Sequence, residues 1–550
     1  MDFKEKLIAS QQKSIENLTN EISILREELV KREASHEKQL LHLNQEIANL
    51  NETLRTIAGK RFSSTSESLK NQPIEGQIML DFFNEAEFLA DHAVAGDILN
   101  ESEEISNEKK SKKPRSTRDD LFHNVPIKKE VMRLSEDEKR CDLCEQELKF
   151  LGEEFVREEI RITPAIVSRV QIYQEVYSCP ECQAQDEFVI KKAAAPAALF
   201  KHSLASPSIV AKIMYDKYVN ALPLNRQEKD YARLGVTLTR SVQASWINNA
   251  AMEHLKPIYD KLHEDLCKRD VIMSDETPCQ VHREDGRKAN SKSYMWIHRS
   301  GKDGLAPIIL YDYQVSRHGD HAVNFLGDFS GYHQCDGFSG YNKLKKVTRV
   351  ACLAHIRRKF FDAVPKRGAA NTGKARIPAK EGVRFCDKLF ELEREFADLA
   401  PEERKTQRLK QSKPVLDAFW SWLDQQNPPG GSNLYKAVTY ARNQKEYMNN
   451  YLLDGRICIS NNLTENSVRP YTLIRKNSLF HDTPKGATAS AIICSLMETA
   501  KALNLDVQKY LDYLLTKQPG HANGSEGLNE LMPWSESVKM LCASNVKSKK

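Results

Sequence analysis

The sequence lacks any long hydrophobic run, since no apolar segment approaches the ~20 residues that a membrane-spanning helix requires. Its first residues, Met1-Asp2-Phe3-Lys4-Glu5-Lys6, also lack the apolar core of a secretory signal. These two absences predict a cytoplasmic protein without membrane partners.

Clustered cysteines are scarce as well, because eight of the 12 in these 550 residues are scattered. This excludes the disulfide framework of small secreted domains and indicates reduced thiols. The remaining four form two pairs, Cys141-Asp-Leu-Cys144 and Cys179-Pro-Glu-Cys182, with 34 residues between them. Four thiolates in two tight turns form the tetrahedral set that Zn²⁺ prefers, so they predict a structural zinc site. Unrelated cysteines and a redox pair are the alternatives, since the spacing exceeds the usual ~15–20 residues.

A large excess of charge is also absent, because the formal net charge is only +5. The charge is unevenly distributed, however. Residues 341–380 contain 12 Lys and Arg against the single acid Asp362, which leaves about −6 for the rest of the chain. This window is therefore the best candidate for a surface that contacts phosphate groups, with a solvated basic face as the alternative.

The N-terminal segment has the hydrophobic spacing of a coiled coil. Apolar residues recur at three- and four-residue intervals from Ile15 to Leu29, and again from Leu40 to Ile57 after a four-residue insertion. Such a stripe on an isolated helix needs a partner. It predicts a homo-oligomer, with packing on the chain's own domain as the alternative.

The organisation that follows from these patterns is a multidomain α+β protein. We predict a coiled coil (1–58), a linker with an acidic helix (59–120), a zinc-binding domain (121–192), a helical segment (200–262), an α/β core (263–362 and 456–500), a mainly helical insertion (363–455) and a helical C-terminal segment (501–550). Within the helical segment, Leu224 to Trp246 is compatible with a DNA-binding helix-turn-helix or with an ordinary helical support.

Two aspartates follow strand-like runs in the core. Asp275 comes after Val271-Ile-Met-Ser, which is the first strand of a predicted three-strand antiparallel meander. Asp336 lies between the strand-like Tyr332-His-Gln and Gly337. This strand order is that of a ribonuclease H-like core. Carboxylates on neighbouring strands repel each other unless cations lie between them, which predicts paired Mg²⁺ or Mn²⁺ ions. Glu465, in a capped helix with Arg469 on the same face, is the predicted third ligand.

A family resemblance is carried by an ordered set of motifs. The chain resembles the transposases of the bacterial insertion-sequence-sixty-six family over about residues 60–515, through Asp275-Glu-Thr-Pro278, Ser316-Arg-His-Gly319, Asp336-Gly-Phe-Ser-Gly-Tyr341, Ala354-His-Ile-Arg-Arg-Lys-Phe360, Asn461-Asn-Leu-Thr-Glu465, Arg475-Lys-Asn477, Glu498-Thr-Ala-Lys501 and both cysteine pairs. The family commonly has Asp and Arg where this chain has Ser460 and Asn466.

The resemblance implies a DDE transposase that cleaves and joins DNA, with Asp275, Asp336 and Glu465 as the catalytic, metal-binding triad. It also implies a leucine-zipper-like N-terminus, structural zinc, element-end and target DNA as partners, and small accessory proteins. Phosphate-positioning roles are predicted for His355, Arg357, Arg358, Lys359, Arg469, Arg475 and Lys476. A metal-dependent nuclease without strand transfer and an inactive DNA-binding regulator are the alternative functions.

Overall fold

The computed structural model describes residues 167–178, 190–194, 196–365, 377–518 and 525–544, together with separate helical positions between 21 and 50. From residue 167 onward the described chain forms two compact units. One is Asp260–Ser495, and the other contains residues 167–259 and 496–544. Across these described ranges, no helix combines the length and the apolar character needed to cross a membrane.

The smaller unit begins with a short antiparallel strand pair and continues as helices. Ser206 and Thr239 each accept a backbone N–H bond in the first turn of a helix, as N-cap residues do. The elements are β1 (Val176–Ser178), β2 (Ile190–Lys192), α1 (Pro207–Tyr218), α2 (Leu224–Arg233) and α3 (Arg240–Ala250).

Helices α2 and α3 cover the segment that the sequence marked as helix-turn-helix-like. They pack on each other, and the six residues 234–239 connect them, which is longer than the ~3–4-residue turn of that motif. Buried Gln227 and Gln243 donate to backbone carbonyls of Leu222 and Leu238. The DNA-binding role of this pair remains a prediction.

The larger unit is built on a mixed five-stranded sheet with the order β5-β4-β3-β6-β7. The predicted antiparallel meander is present as β3, β4 and β5, while β6 runs parallel to β3 and β7 parallel to β6. The elements are α4 (Lys256–Cys267), β3 (Val271–Gln280), β4 (Lys292–Ser300), β5 (Ile309–Gln314), α5 (Asp320–Leu326), β6 (Tyr332–Gln334) and β7 (Thr348–Val350).

Of the five α-helices described between β7 and residue 450, four share one hydrophobic core with the sheet edge, whereas the short helix Pro401–Gln407 has no buried residue. Val350 of β7, Phe360, Leu389 and Phe419 are buried in the same cluster. The segment after α6 is therefore packed onto the core as part of the unit. The helices are α6 (Leu353–Asp362), α7 (Pro378–Glu395), α8 (Pro401–Gln407), α9 (Lys413–Asp424) and α10 (Asn433–Asn449).

The chain then returns to the sheet as α11 (Asn462–Ser478), which packs on β3 and β4, and α12 (Pro484–Ala502). Arg299 of β4 donates to the Leu463 carbonyl at 2.7 Å, and Tyr311 of β5 donates to the Ser467 carbonyl. These bonds fix the first turns of α11 over the sheet. The smaller unit is completed by α13 (Val507–Lys517), which packs on α1, and by α14 (Ser525–Leu531) and α15 (Glu536–Leu541).

A buried arginine holds the segment that leads into α11. The Arg408 guanidinium is 1% exposed and forms a two-bond pair with Glu393, each bond 2.7 Å long. It also donates to the carbonyls of Tyr451, Asp454 and Ile457 at 2.9–3.1 Å. The planar donor fork of arginine meets all five acceptors, which the single ammonium of lysine cannot do.

We predict that Arg408→Ala lowers the free energy of unfolding by about 3–5 kcal/mol, because it leaves a buried carboxylate and three carbonyls without donors. Urea unfolding followed by tryptophan fluorescence measures the loss, since Trp420 and Trp422 lie in the same helical segment. Lys413→Ala, which removes an exposed pair with Asp417, is the matched control and should cost under about 0.5 kcal/mol. Equal losses in the two variants would contradict the prediction.

Candidate active site

Strand pairing brings Asp275 and Asp336 to the same edge of the sheet. Met273 of β3 pairs with Gln334 of β6 in parallel register, and each aspartate lies two residues beyond its member of that pair. Neighbouring strands are about 4.8 Å apart, so the two aspartates lie side by side. Asp275 lies within β3 and pairs with Ile297 of β4. Asp336 lies two residues beyond the end of β6, and its carboxylate accepts the Phe338 backbone N–H at 2.9 Å.

Glu465 reaches the same place from the first turn of α11. Its side chain is 6% exposed, and among the described residues neither carboxylate oxygen has a hydrogen-bond partner. The carboxylate lies close enough to Asp275 and Asp336 for both to raise its pKa, behind burial as the largest cause. The structure therefore brings the three predicted ligands within electrostatic range of one another.

Asn461, at the N-cap of α11, aligns the three elements of the site and was not among the predicted functional residues. Its side chain is fully buried and donates to the Ser274 carbonyl on β3 at 3.0 Å. Its backbone N–H donates to the sulfur of Cys352, the N-cap of α6, at 3.1 Å. Its carbonyl accepts the backbone N–H of Glu465 at 3.1 Å. One residue thus connects β3, α6 and the glutamate.

A fourth carboxylate, Glu276, adjoins the triad and was also missed. Its side chain is 1% exposed, accepts from the Tyr341 hydroxyl at 2.6 Å, and pairs with Arg317 at 2.5 Å. Arg317 lies 4.0 Å from Asp336 and 4.2 Å from the centroid of the Phe338 ring. The guanidinium thus partly neutralises two acids at the cluster edge. Only the folded chain brings these residues together, because they are up to 65 positions apart.

The electrostatics of the cluster disfavour full ionisation. Burial raises the pKa of Asp275, and the Glu276 and Asp336 carboxylates raise it further. Burial likewise raises the pKa of Glu276, with Asp336 as the next cause. Carboxylates in this condition become ionised together only if cations compensate their charge.

The donor set fits a hard divalent cation. Mg²⁺ and Mn²⁺ prefer carboxylate oxygens, and the two buried oxygens of Glu465 have no protein donor. A second group of possible metal ligands, with softer donor atoms, shares Glu465. The ligand atoms of Cys352, His355 and Glu465 lie within 4.8 Å of one another. The Cys352 sulfur already accepts the Asn461 N–H at 3.1 Å.

His355 lies beside Glu465, with Nδ1 3.7 Å from Oε1. Burial lowers its pKa to about 4, so the imidazole is neutral near pH 7. A neutral ring cannot form a permanent ion pair with the glutamate. Its position next to the triad is compatible with the predicted phosphate contact.

The predicted phosphate-binding cations have different environments. Arg358 and Arg469 both lie near enough to Glu465 to oppose the rise in its pKa. Lys359 and Lys476 are exposed. Arg357 requires a correction, because it is 4% exposed and pairs with Asp387 at 2.5 Å, which commits it to packing between α6 and α7. Arg475 is partly buried and donates to Pro278 O and Thr277 Oγ1, so its main role is to connect α11 to β3.

Several described cations of the basic window have partners within the chain. Lys343 pairs with Asp320 and Lys346 with Asp328, at 2.7 and 2.6 Å. Arg349 is 7% exposed and donates to the Asp336 carbonyl at 2.8 Å. The +11 of residues 341–380 therefore overstates the charge that this surface offers to a phosphate.

The helical segment contributes Tyr440 to the site. A Cβ atom added at Gly337, directly after Asp336, would lie 2.6 Å from Cε2 of the Tyr440 ring. Only glycine leaves room for this close approach. The Tyr440 ring, on α10, therefore packs against the turn at Asp336 and Gly337.

Behind the aspartates lies a buried hydrogen-bonded chain. Ser274 Oγ lies 2.8 Å from His298 Nδ1 and 2.8 Å from His333 Nε2. Burial lowers the pKa of both histidines, that of His333 to about 3, so they stay neutral. The chain links β3, β4 and β6 directly beneath the residues that carry Asp275 and Asp336.

The predicted zinc ligands Cys141, Cys144, Cys179 and Cys182 lie outside the described residues.

A cluster of carboxylates on adjacent strands of a mixed sheet and a facing helix is the class of donor set that hard divalent cations prefer. Three family models match this chain: the transposase IS66 family over residues 202–489, the zinc-finger binding domain of transposase IS66 over residues 138–183, and the IS66 C-terminal element over residues 495–534. The chain belongs to the IS66 family of transposases. It contains that family's zinc-finger domain, and DNA is the partner that membership implies.

Three relatives from Sinorhizobium fredii are similar over most of their length, and all three are uncharacterized proteins. y4jD is 30% identical over 415 residues, which cover 72% of this chain and 78% of the relative. y4qI is 27% identical over 508 residues, covering 90% of this chain and 89% of the relative. y4hP is 27% identical over 410 residues, covering 72% and 73%.

We predict that Mn²⁺ raises the melting temperature of this protein more at pH 8 than at pH 6. The pKa values of Asp275, Glu276 and Glu465 are raised in the folded state. Their contribution to the stability of the metal-free protein is therefore fully present when the pH is below the pKa values of the unfolded state, and it is lost as the pH rises through the folded-state pKa values. A cation binds the ionised forms, and at 100 times its Kd it adds about 2.7 kcal/mol. Differential scanning fluorimetry measures the shift.

Two variants make that measurement specific. Asp275→Asn should raise the melting temperature of the metal-free protein at pH 8 and abolish the Mn²⁺ shift. Asp312→Asn removes another carboxylate of the same sheet, whose pKa burial raises to about 6 but which does not belong to the cluster, so it should keep the shift. A metal shift that persists in Asp275→Asn would exclude the cluster as the binding site.

We predict that Asn461→Ala costs about 1–3 kcal/mol of stability, because the Ser274 carbonyl loses a buried donor. The substitution should also weaken Mn²⁺ binding, since Glu465 loses its alignment with β3. Isothermal titration of Mn²⁺ at constant pH tests this effect. Asn466→Ala, an exposed asparagine one turn further along α11, is the control and should bind Mn²⁺ like the unmodified protein.

Proposed function

We propose that this chain is a DDE-type DNA transposase that cleaves DNA at the ends of an insertion sequence and joins the released ends to target DNA. One observation carries the proposal: the carboxylates of Asp275, Asp336 and Glu465 converge from two adjacent parallel strands and a facing helix, and both Glu465 oxygens lack protein donors. The strand order β5-β4-β3-β6-β7 supports a ribonuclease H-like assignment for the core.

Asp275, Asp336 and Glu465 would together hold a pair of Mg²⁺ or Mn²⁺ ions, with Asp275 shared and Asp336 and Glu465 each holding one. Bound there, such ions would supply activation of an attacking water and stabilisation of a leaving 3′-oxygen, and the same chemistry would serve strand transfer with the new 3′-hydroxyl as nucleophile. Glu276, paired with Arg317 and Tyr341, fixes the edge of the cluster. The Ser274 chain and Asn461 hold the carboxylates at fixed positions, as efficient catalysis requires.

The cations around Glu465 would position the DNA backbone. Arg358 and Arg469 are nearest to that carboxylate, and Lys359 and Lys476 are exposed on the same two helices. Neutral His355 is suited to donate one hydrogen bond to the scissile phosphate. Contacts of this kind set the register of the DNA without reading its sequence.

The remaining segments would assemble the complex. We propose that Cys141, Cys144, Cys179 and Cys182 bind one Zn²⁺ in the zinc-finger domain, and that the N-terminal helix pairs with a second copy of this chain. Supporting the second point, the described residues Leu29, Leu43, Ile47 and Leu50 are helical and 51–61% exposed. We also propose that the chain has the domain limits predicted from its sequence and that small accessory proteins are among its partners.

The test is cleavage and strand transfer on DNA that flanks the coding sequence, in Mg²⁺ or Mn²⁺. We predict that Glu465→Gln binds this DNA but cleaves it about a thousandfold more slowly, because loss of a metal ligand removes several kcal/mol of transition-state stabilisation. Asp312→Asn, outside the cluster, should retain activity.

The outcomes separate the alternatives. Cleavage without joining would indicate a nuclease, and DNA binding without metal-dependent cleavage would indicate a regulator. Equal activity in the unmodified protein and Glu465→Gln would show that the activity does not depend on this site.

A further inference from the structure

Helix α11 ends in a strained turn. Leu479 has φ 64° and ψ −55°, a region that a bulky L-residue rarely adopts, and the Phe480 N–H donates to the Ser478 carbonyl at 2.8 Å. A hydrogen bond across two residues with this backbone is the uncommon, strained form of the γ-turn. Strain of this kind persists only where the surrounding structure enforces it, and it concentrates at functional sites.

The turn directs apolar side chains into solvent. Leu479 is 66% exposed, Phe480 is 43% exposed, and Leu473, on the preceding turns of α11, is 56% exposed. Because Leu479 is exposed, no burial of its side chain within this unit compensates for the backbone strain. Leu479 and Phe480 together form an apolar tip, which we name the α11 tip.

The α11 tip is firmly attached to the strand that carries Asp275. The His481 N–H donates to the Gln280 carbonyl at 2.9 Å, and the His282 N–H donates to the His481 carbonyl at 3.0 Å. The Phe480 ring stacks on His282 with 3.7 Å between ring centroids. The Tyr471 hydroxyl lies 2.9 Å from His481 Nε2. The tip is thus a fixed extension of α11 and β3.

The charge around the tip favours a polyanion. Among residues 281–292 and 473–485, the exposed cations outnumber the exposed anions, with Arg283, Lys288, Lys292, Lys476 and Lys485 against Asp285 and Asp482. An apolar projection within a cationic surface matches the proteins that insert a side chain between DNA base steps. A protein partner that covered the tip through apolar contacts alone would not need this excess of cations.

The spacing along α11 gives the distance from Glu465 at which such a contact would fall if α11 lies along the duplex. Leu479 lies 14 residues after Glu465, which at about 1.5 Å per residue is roughly 21 Å. At about 3.4 Å per base along a DNA strand, this distance corresponds to roughly six base pairs.

We propose that the α11 tip inserts Leu479 between two base pairs about six base pairs from the scissile phosphate, and that Phe480 supports the unstacked base. This inference rests on the proposed function, because it takes DNA in the active site as the reference point. Insertion would bend or open the duplex and so fix the distance between the cleavage position and the bound sequence.

The test is a scan with the fluorescent adenine analogue 2-aminopurine, incorporated at single positions three to nine base pairs from the cleavage site. The full-length protein is bound to each duplex with Ca²⁺ in place of Mg²⁺. We expect a several-fold rise in fluorescence at one position near six, and its loss in Leu479→Gly. This variant removes the side chain and relieves the strain, since glycine favours positive φ, so its melting temperature should equal or exceed that of the unmodified protein.

Leu305→Ala is the matched control, because Leu305 is also 66% exposed but lies between β4 and β5. It should retain the rise in fluorescence. A rise that survives in Leu479→Gly would overturn the proposal, as would a lack of any rise in a protein that cleaves in Mg²⁺. If Leu479→Gly instead changes the sedimentation of the free protein and leaves the fluorescence unaltered, the tip contacts a second copy and the DNA role is wrong. A rise without cleavage in Mg²⁺ would support the tip and contradict the transposase activity.

Discussion

Repulsion among buried carboxylates is the constraint on which the rest of this structure depends. Asp275, Glu276, Asp336 and Glu465 lie close enough for their charges to act on one another, and burial already raises the pKa of the first two and of Glu465. Ionised together, they would drive the site apart unless cations intervened. Arg317 compensates part of this charge, but no donor from the described residues reaches the Glu465 oxygens. The cluster therefore requires a rigid frame, and its full ionisation requires further positive charge.

The frame consists of buried hydrogen bonds between distant segments. Asn461 connects β3, α6 and α11, and the Ser274 hydroxyl connects two histidines on the neighbouring strands. Arg408 holds the residues that precede α11 from the opposite side. Because these groups are buried, each lost bond leaves an unsatisfied partner and costs more than a surface bond. The stability that these buried hydrogen bonds supply therefore offsets the repulsion between the carboxylates of the cluster.

Much of this arrangement could be predicted from local sequence. Two apolar runs followed by Asp275 and Asp336 predicted neighbouring strands that carry the carboxylates, and β3 and β6 are neighbours. The prediction that the first strand ends at Asp275 was wrong, because β3 continues through Pro278 to Gln280 and stays paired with β4. The helix around Glu465 and the helical character of the long segment before it followed from their hydrophobic patterns. The roles of Arg357 and Arg475 did not follow, since the sequence shows their charge but not the buried Asp387 or the Pro278 carbonyl that they bind.

The sequence by itself determined the elements, the candidate triad and the family, because these depend on residue order and spacing. Only the tertiary structure decided which groups share the site: Glu276, Arg317, Tyr341, Tyr440 and Asn461. It also decided that several described cations of the basic window are paired, and that Leu479 ends α11 in a strained, exposed turn. The physical reason is that burial, ion pairing and backbone strain arise from contacts between segments far apart in the chain, which no local pattern encodes.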